Sequence, residues 1–277
     1  MQDVARASMP KRALRRVMTS WSDGAIASSS EARDVFAHYG LPSDRILTAV
    51  MPVDVDFFHR RATAWRASAE LQIDRAQYPG PILLSVGRVT ERKGYRELFA
   101  MYAEIVKRKP EVSLVIAGDG PDRDEHEAAV RARGWTRVRF LGFQQAEDVV
   151  KCLALADVFV FHTLCDPFGA VLSEAMAAGV PAVSSVYAGA TRDLIEDGVT
   201  GFRIDPKDAA SSADTIRRVL DLPPDRLASL RRAAYERVRM FDVERSADRM
   251  VAYLRALGDS HGRGTWGTSR CAERLGG

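Results

Sequence analysis

The hydrophobic pattern becomes regular near position 81. From there, short apolar runs at 81–87, 112–117, 138–141, 157–161 and 181–184 alternate with longer amphipathic stretches. Apolar runs of about four to eight residues bounded by Gly or Pro suit strands buried on both faces. Leu98, Met101, Tyr102, Ile105 and Val106 recur at steps of a helix and share one face. The stretches 125–133, 147–155 and 169–178 fill the other gaps at helical length. Strand and helix in alternation predict an α/β fold, a Rossmann-like parallel sheet with helices on both faces. Helical stretches at 207–220, 225–239 and 242–257 follow, the first two parted by Pro223-Pro224 because proline cannot continue a helix.

The first eighty residues are patterned differently. Short strands are expected at 23–28 and 45–50, with a helix capped by Ser30, running to His38 and stopped by Gly40. Two strands and a helix bury too little to form a core of their own. Positions 62–78 read as a linker, 79–240 as the main domain and 241–257 as a closing helix. Positions 258–277, rich in Gly, Arg, Ser and Thr, read as a disordered tail.

Composition alters this picture little. Hydrophobic residues make up 46% and charged residues 28% of 277 positions, ordinary for a globular chain. The formal net charge of +3 is small for this length and makes no case for nucleic acid. Part of the basic excess is local: Arg6, Lys11, Arg12, Arg15 and Arg16. On a helix they read first as a solvated face, with anionic lipid headgroups, a peripheral membrane contact, as the alternative partner. Three cysteines (Cys152, Cys165, Cys271) without metal-ligand spacing fit a reducing compartment. No apolar run approaches the ~20 residues that span a bilayer. The Arg- and Ser-rich start faintly resembles a transit peptide, but it runs unbroken into a strand-like segment, so a cytoplasmic location is expected.

Ligands of such sheets bind at the carboxyl ends of the strands, and candidate chemistry gathers there. Gly87 permits a tight turn, and Arg88 and Lys93 place two cations beside a helix start near Gly94, suited to a phosphate or diphosphate. Gly118-Asp-Gly-Pro121 lets backbone approach a ligand, though it is also an ordinary turn. In the stretch Asp166-Pro-Phe-Gly-Ala-Val-Leu-Ser-Glu174, amides from Gly169 onward can bind anions, and Asp166 and Glu174 can accept hydrogen bonds from sugar hydroxyls. Taken alone, the pair also reads as a helix-start acid and a surface acid. Gly179-Val-Pro181, Ala188-Gly-Ala190, Asp193, Asp197-Gly198 and Gly201 form a last group of glycine-rich turns.

In order and spacing, these groups from Ile82 to Phe202 resemble the C-terminal domain of glycosyltransferase family 4, a retaining family with the GT-B fold. The resemblance implies that Arg88 and Lys93 hold a donor's diphosphate, Glu174 the nucleotide ribose and Asp166 the donor sugar, with Arg88, Lys93 and Asp166 counted as catalytic. Gly87, Gly118, Gly120, Phe168, Gly169, Ala170 and Val171 would complete the donor site. Residues 22–58, with Asp54-x-x-x-Phe58, resemble the end of the family's N-terminal, acceptor-binding domain, so 1–61 reads as a remnant of it. Asp166 stands where the family usually has glutamate, and Gly189-Ala190-Thr-Arg-Asp193 has lost one glycine of Gly-Gly-x-x-Glu. The front of the N-terminal domain is expected to be missing, and His38 and His59 receive no role.

The implied activity is transfer of a sugar from a nucleoside-diphosphate sugar to an unknown glycan or lipid acceptor in cell-surface polysaccharide, lipopolysaccharide or glycolipid synthesis. No metal and no cofactor are expected, because Arg88 and Lys93 would meet the leaving-group charge. The alternatives are a truncated, inactive nucleotide-sugar-binding module and a sugar epimerase of related fold. In the family the last helix crosses to the N-terminal domain, so Met250, Val251, Tyr253, Leu254 and Leu257 are expected to lack cover and to invite self-association.

Overall fold

A computed structural model describes residues 8–260; Arg6, Cys271 and most of the expected tail lie outside them. The chain divides into two compact units, Val50–Val243 and a smaller one formed by the residues before position 50 and from Glu244 onward.

The larger unit holds a six-stranded parallel sheet. In chain order its strands are β3 (Ile82–Val86), β4 (Ser113–Ala117), β5 (Val138–Gly142), β6 (Val158–Phe161), β7 (Ala182–Ser185) and β8 (Phe202–Ile204). Their spatial order is β5-β4-β3-β6-β7-β8. The chain builds outward from β3 on one side, then returns to its other side at β6. That reversal opens a crevice beyond the carboxyl ends of β3 and its neighbours. Strand residues alternate between two cores: Ile82 and Leu84 face one, Leu83 the other. Burial on both faces explains why these strands read as continuous apolar runs. β8, short and only partly buried, lies beyond the runs seen in the sequence.

The connecting helices are α5 (Tyr95–Val106), α6 (Arg123–Ala132), α7 (Ala146–Leu155), α8 (Ala170–Ala177), α9 (Gly189–Leu194), α10 (Ala209–Leu220) and α11 (Pro224–Arg239). α11 opens on Pro224, where the missing N–H of proline costs nothing.

The expected linker at 62–78 is a correction. Two helices occupy that region, α3 (Val55–Ala67) and α4 (Ala69–Ala76). Asp54 caps α3 by accepting from Phe57 N at 2.8 Å, and Ser68 caps α4 by accepting from Leu71 N at 3.1 Å. Phe58, Ala62 and Leu71 are buried in the same core as β3 and β6. Lys151 of α7 pairs with Glu70 at 2.6 Å and Asp74 at 2.8 Å, fastening α4 to the sheet's helical layer. The segment is therefore part of the larger unit.

In the smaller unit, β1 (Ala25–Ala27) pairs in parallel with β2 (Ile46–Thr48), flanked by α2 (Ser30–His38). The cap of α2 is Ser29 rather than Ser30; its side chain accepts from Ala32 N at 3.0 Å. α12 (Val243–Ser260) joins this unit, where Tyr253 accepts from Ala25 N at 3.0 Å and donates to Arg45 O at 2.7 Å. Gly258 to Ser260 thus continue the helix, not a tail. α1 (Met9–Ser20) presents Arg15 and Thr19 to Tyr39, while Leu14, Val17 and Met18, with Trp21 just beyond its end, are exposed. Lys11 and Arg16 of the basic cluster are exposed; Arg12 and Arg15 are partly buried.

Candidate functional site

The turns leaving β3 and β4 are pressed together. Gly87 N donates to Ala117 O at 3.0 Å, Val89 N to Asp119 O at 2.9 Å, and Gly118 N to Gly142 O at 2.8 Å. A Cβ on Gly118 would stand 1.9 Å from Gly87 O, so only glycine admits this approach. Tyr95, its phenol pushed up to about 12 by burial, stays protonated and donates to Gly87 O at 3.0 Å. At these turns opens a cleft of about 470 Å³, lined by Val86, Gly87, Arg88, Gly118, Asp119 and Gly120 and also by Phe143, Gln144 and Val149. Arg88 is exposed and has no hydrogen bond or ion pair among the described residues. Its charge is available to an incoming anion.

The exit of β6 carries the second part. Lys93, at the end of a short 3-10 turn (Glu91–Lys93), forms an ion pair with Asp166. Their side chains are 16% and 14% exposed, so water screens this pair less than a surface one. The other Asp166 oxygen accepts from Phe168 N at 3.1 Å, which bends the loop towards α8. Phe168 is buried, and Gly169 takes φ 92° against the Phe161 ring. α8 then starts at Ala170 and Val171 with no side-chain cap and no acid in its first turn, leaving its leading amides to other acceptors. Glu174, one turn along, is half-buried without hydrogen bond or ion pair among the described residues, and burial raises its pKa.

The structure joins the expected residues in two groups. Gly87, Arg88, Gly118 and Gly120 share the cleft; Lys93, Asp166, Phe168 and Gly169 share the β6 exit. A small hollow is lined by Gly87 from the first group and Lys93 from the second, together with Phe161 and His162. Glu174 lies outside the residues lining the cleft. The last group of turns is built into the scaffold: Gly189 N donates to Asp166 O at 3.0 Å and Ala190 N to Phe168 O at 2.9 Å, bracing the loop from behind. Asp197 accepts from Arg203 N at 2.7 Å and shapes the entry to β8.

Phe143, Gln144 and Val149 did not stand out in the sequence, although Phe143 is 70% exposed at the cleft's rim. A sequence signal existed: Phe143 follows Gly142 at the end of an apolar run, where loop chemistry belongs. Among the described residues, no three His, Cys, Asp or Glu side chains gather as metal ligands.

Residues 70–237 match the family described as glycosyl transferases group 1. A 2-deoxystreptamine glucosyltransferase of Streptomyces kanamyceticus is 32% identical over 203 residues, 72% of this chain and 52% of that protein. An alpha-D-kanosaminyltransferase of the same organism is 32% identical over 179 residues, 64% of this chain and 46% of that protein. The chain therefore spans about half the length of these curated relatives. HepE of Anabaena, crystallised in complex with UDP, superimposes with a TM-score of 0.77 at 22% identity, over 91% of this chain and 69% of that one. At that identity the likeness speaks for the fold.

Proposed function

Because the chain belongs to the glycosyl transferases group 1, we propose that it binds a nucleoside-diphosphate sugar and transfers the sugar, with retention, to a glycan or lipid acceptor. The observation that carries this reading is the cleft of about 470 Å³ at the carboxyl ends of β3 and β4, with an unpaired Arg88 on its wall. Arg88 and Lys93 grip the diphosphate, and the first amides of α8 point to the same charge. As the bond from the anomeric carbon to the diphosphate breaks, negative charge grows on the departing oxygens. Groups already fixed in place stabilise it without reorganising. Asp166, held by Lys93 and Phe168 N, accepts from a sugar hydroxyl, and Glu174 accepts from the ribose. Phe143, open at the rim, offers a ring for the base to stack on.

HepE was crystallised with UDP, which makes uracil the first base to try. Millimolar UDP, GDP or ADP is expected to raise the melting temperature; a ligand at a hundred times its Kd adds about 2.7 kcal/mol to stability. No shift with any of the three would overturn the reading. Because the chain covers half of its relatives' length, a second reading is a donor-binding half without transfer of its own. Nucleotide binding without turnover of the sugar donor on any acceptor tried would favour it.

A further inference from the structure

The exit of β6 also carries a side chain that the proposed chemistry does not use. His162 is buried at the foot of the loop holding Asp166. Its Nδ1 lies 3.0 Å from the carbonyl oxygen of Gly94, and its Nε2 lies 2.8 Å from the Ser85 hydroxyl. A carbonyl can only accept, so Nδ1 carries the ring proton. Burial holds the pKa of the ring down at about 4, so the second nitrogen is bare and accepts from Ser85. Tyr95 meets the ring edge-on, with centroids 4.8 Å apart. One tautomer and one orientation result.

These bonds act on the turn that carries Lys93. The Thr163 hydroxyl at 3.2 Å, Leu164 N at 2.9 Å and Cys165 N at 3.1 Å all donate to the carbonyl of Arg92, the residue before Lys93. His162 donates to the carbonyl of Gly94, the residue after it. Lys93 is thus anchored on both sides to the exit of β6, and its ammonium reaches Asp166 from there. The anchor on the Arg92 side uses two backbone donors that survive any side-chain change. On the Gly94 side, Leu98 N also donates to the carbonyl at 3.0 Å but belongs to α5 itself, so the tie to the exit of β6 is the imidazole.

We propose that His162 is a positioning residue: by clamping the Gly94 carbonyl it fixes where Lys93 presents its ammonium to the donor's diphosphate. This rests on the donor-site reading above. A histidine that only filled space would change stability and leave the discrimination between ligands alone.

The test compares affinities for UDP and UMP by calorimetry, because their ratio isolates the grip on the second phosphate. In His162→Asn the amide nitrogen takes the place of Nδ1 and keeps the bond to Gly94. In His162→Gln the amide extends towards Ser85 and leaves the Gly94 carbonyl with only its helical partner, Leu98 N at 3.0 Å, and no tie to the exit of β6. H162Q is expected to lose about tenfold in the UDP/UMP ratio, the scale of one charge-assisted hydrogen bond. H162N is expected to stay within about twofold, and H162Q should add nothing on a Lys93→Ala background. Equal losses for UDP and UMP, equal ratios in H162N and H162Q, or an undiminished effect without Lys93 would each overturn the proposal. If K93A leaves the ratio unchanged, the donor-site reading fails and the proposal with it. If K93A lowers the ratio and H162Q does not, the proposal alone fails. Should H162Q not fold, Ser85→Ala removes the group that orients the ring and is expected to lower the ratio about threefold; an unchanged ratio in folded S85A overturns the proposal.

Discussion

Glu174 and His162 show how burial leaves its mark on single residues. Burial raises the Glu174 pKa, so the folded protein keeps that proton to a higher pH than the unfolded chain does. Its ionisation therefore costs stability as pH rises from the ordinary carboxylate range through the raised value. Glu174→Gln is expected to melt higher at pH 7 and to bind nucleotide more weakly. A variant with unchanged melting at pH 7 and unchanged affinity would contradict both the burial argument and the ribose role. His162 has the opposite sign. Its pKa falls from 6.5 to about 4 on folding, so the unfolded chain binds more protons between those values. Stability is lost as pH falls through that window, by on the order of 3 kcal/mol. Denaturant unfolding measured from pH 6.5 to 4 should be steeper for the unmodified protein than for H162N.

The elements meet the site through their ends, and α8 is the sharpest case. Gly169 takes φ 92°, and a Cβ there would stand 2.3 Å from the Phe161 ring. Gly169→Ala is expected to destabilise the protein by about 2 kcal/mol or more and to abolish nucleotide binding, read by thermal melting with and without UDP. Retained binding would mean that the start of α8 does not contact the ligand. Most strands and helices were legible to within a few residues, since alternation and helical spacing are local properties. The misreading at 62–78 has a physical cause. α3 and α4 bury only Val55, Phe58, Ala62 and Leu71 and expose many Arg, Glu and Gln side chains, so their apolar stripe is too sparse to announce a packed helix.

On the scale of the molecule, the smaller unit leaves apolar side chains uncovered. Leu14, Val17, Met18 and Trp21 are exposed around α1, and so are Val251 and Leu254 on α12, the helix for which lack of cover was expected. Tyr253 and Leu257 are half-covered within the same unit. Exposed apolar surface of this kind favours association. The protein is expected to elute above its monomer mass on size-exclusion chromatography, and Val251→Ser with Leu254→Ser to shift it towards monomer. A monomer that binds no apolar dye would refute this.

By its sequence alone, the chain determined its α/β class, the succession of its buried strands along the chain and the residue types waiting at their exits. These follow from patterns a few residues long, which the solvent enforces locally. Which exits face one another was decided by tertiary structure alone. The sheet order puts β4 on one side of β3 and β6 on the other, so Gly87 meets Gly118 and Lys93 meets Asp166 across gaps of 31 and 73 positions. The same order buries His162 between Ser85 and Gly94, and it places Phe143 at the rim. Such meetings depend on how whole strands pack, and no short window of sequence contains them.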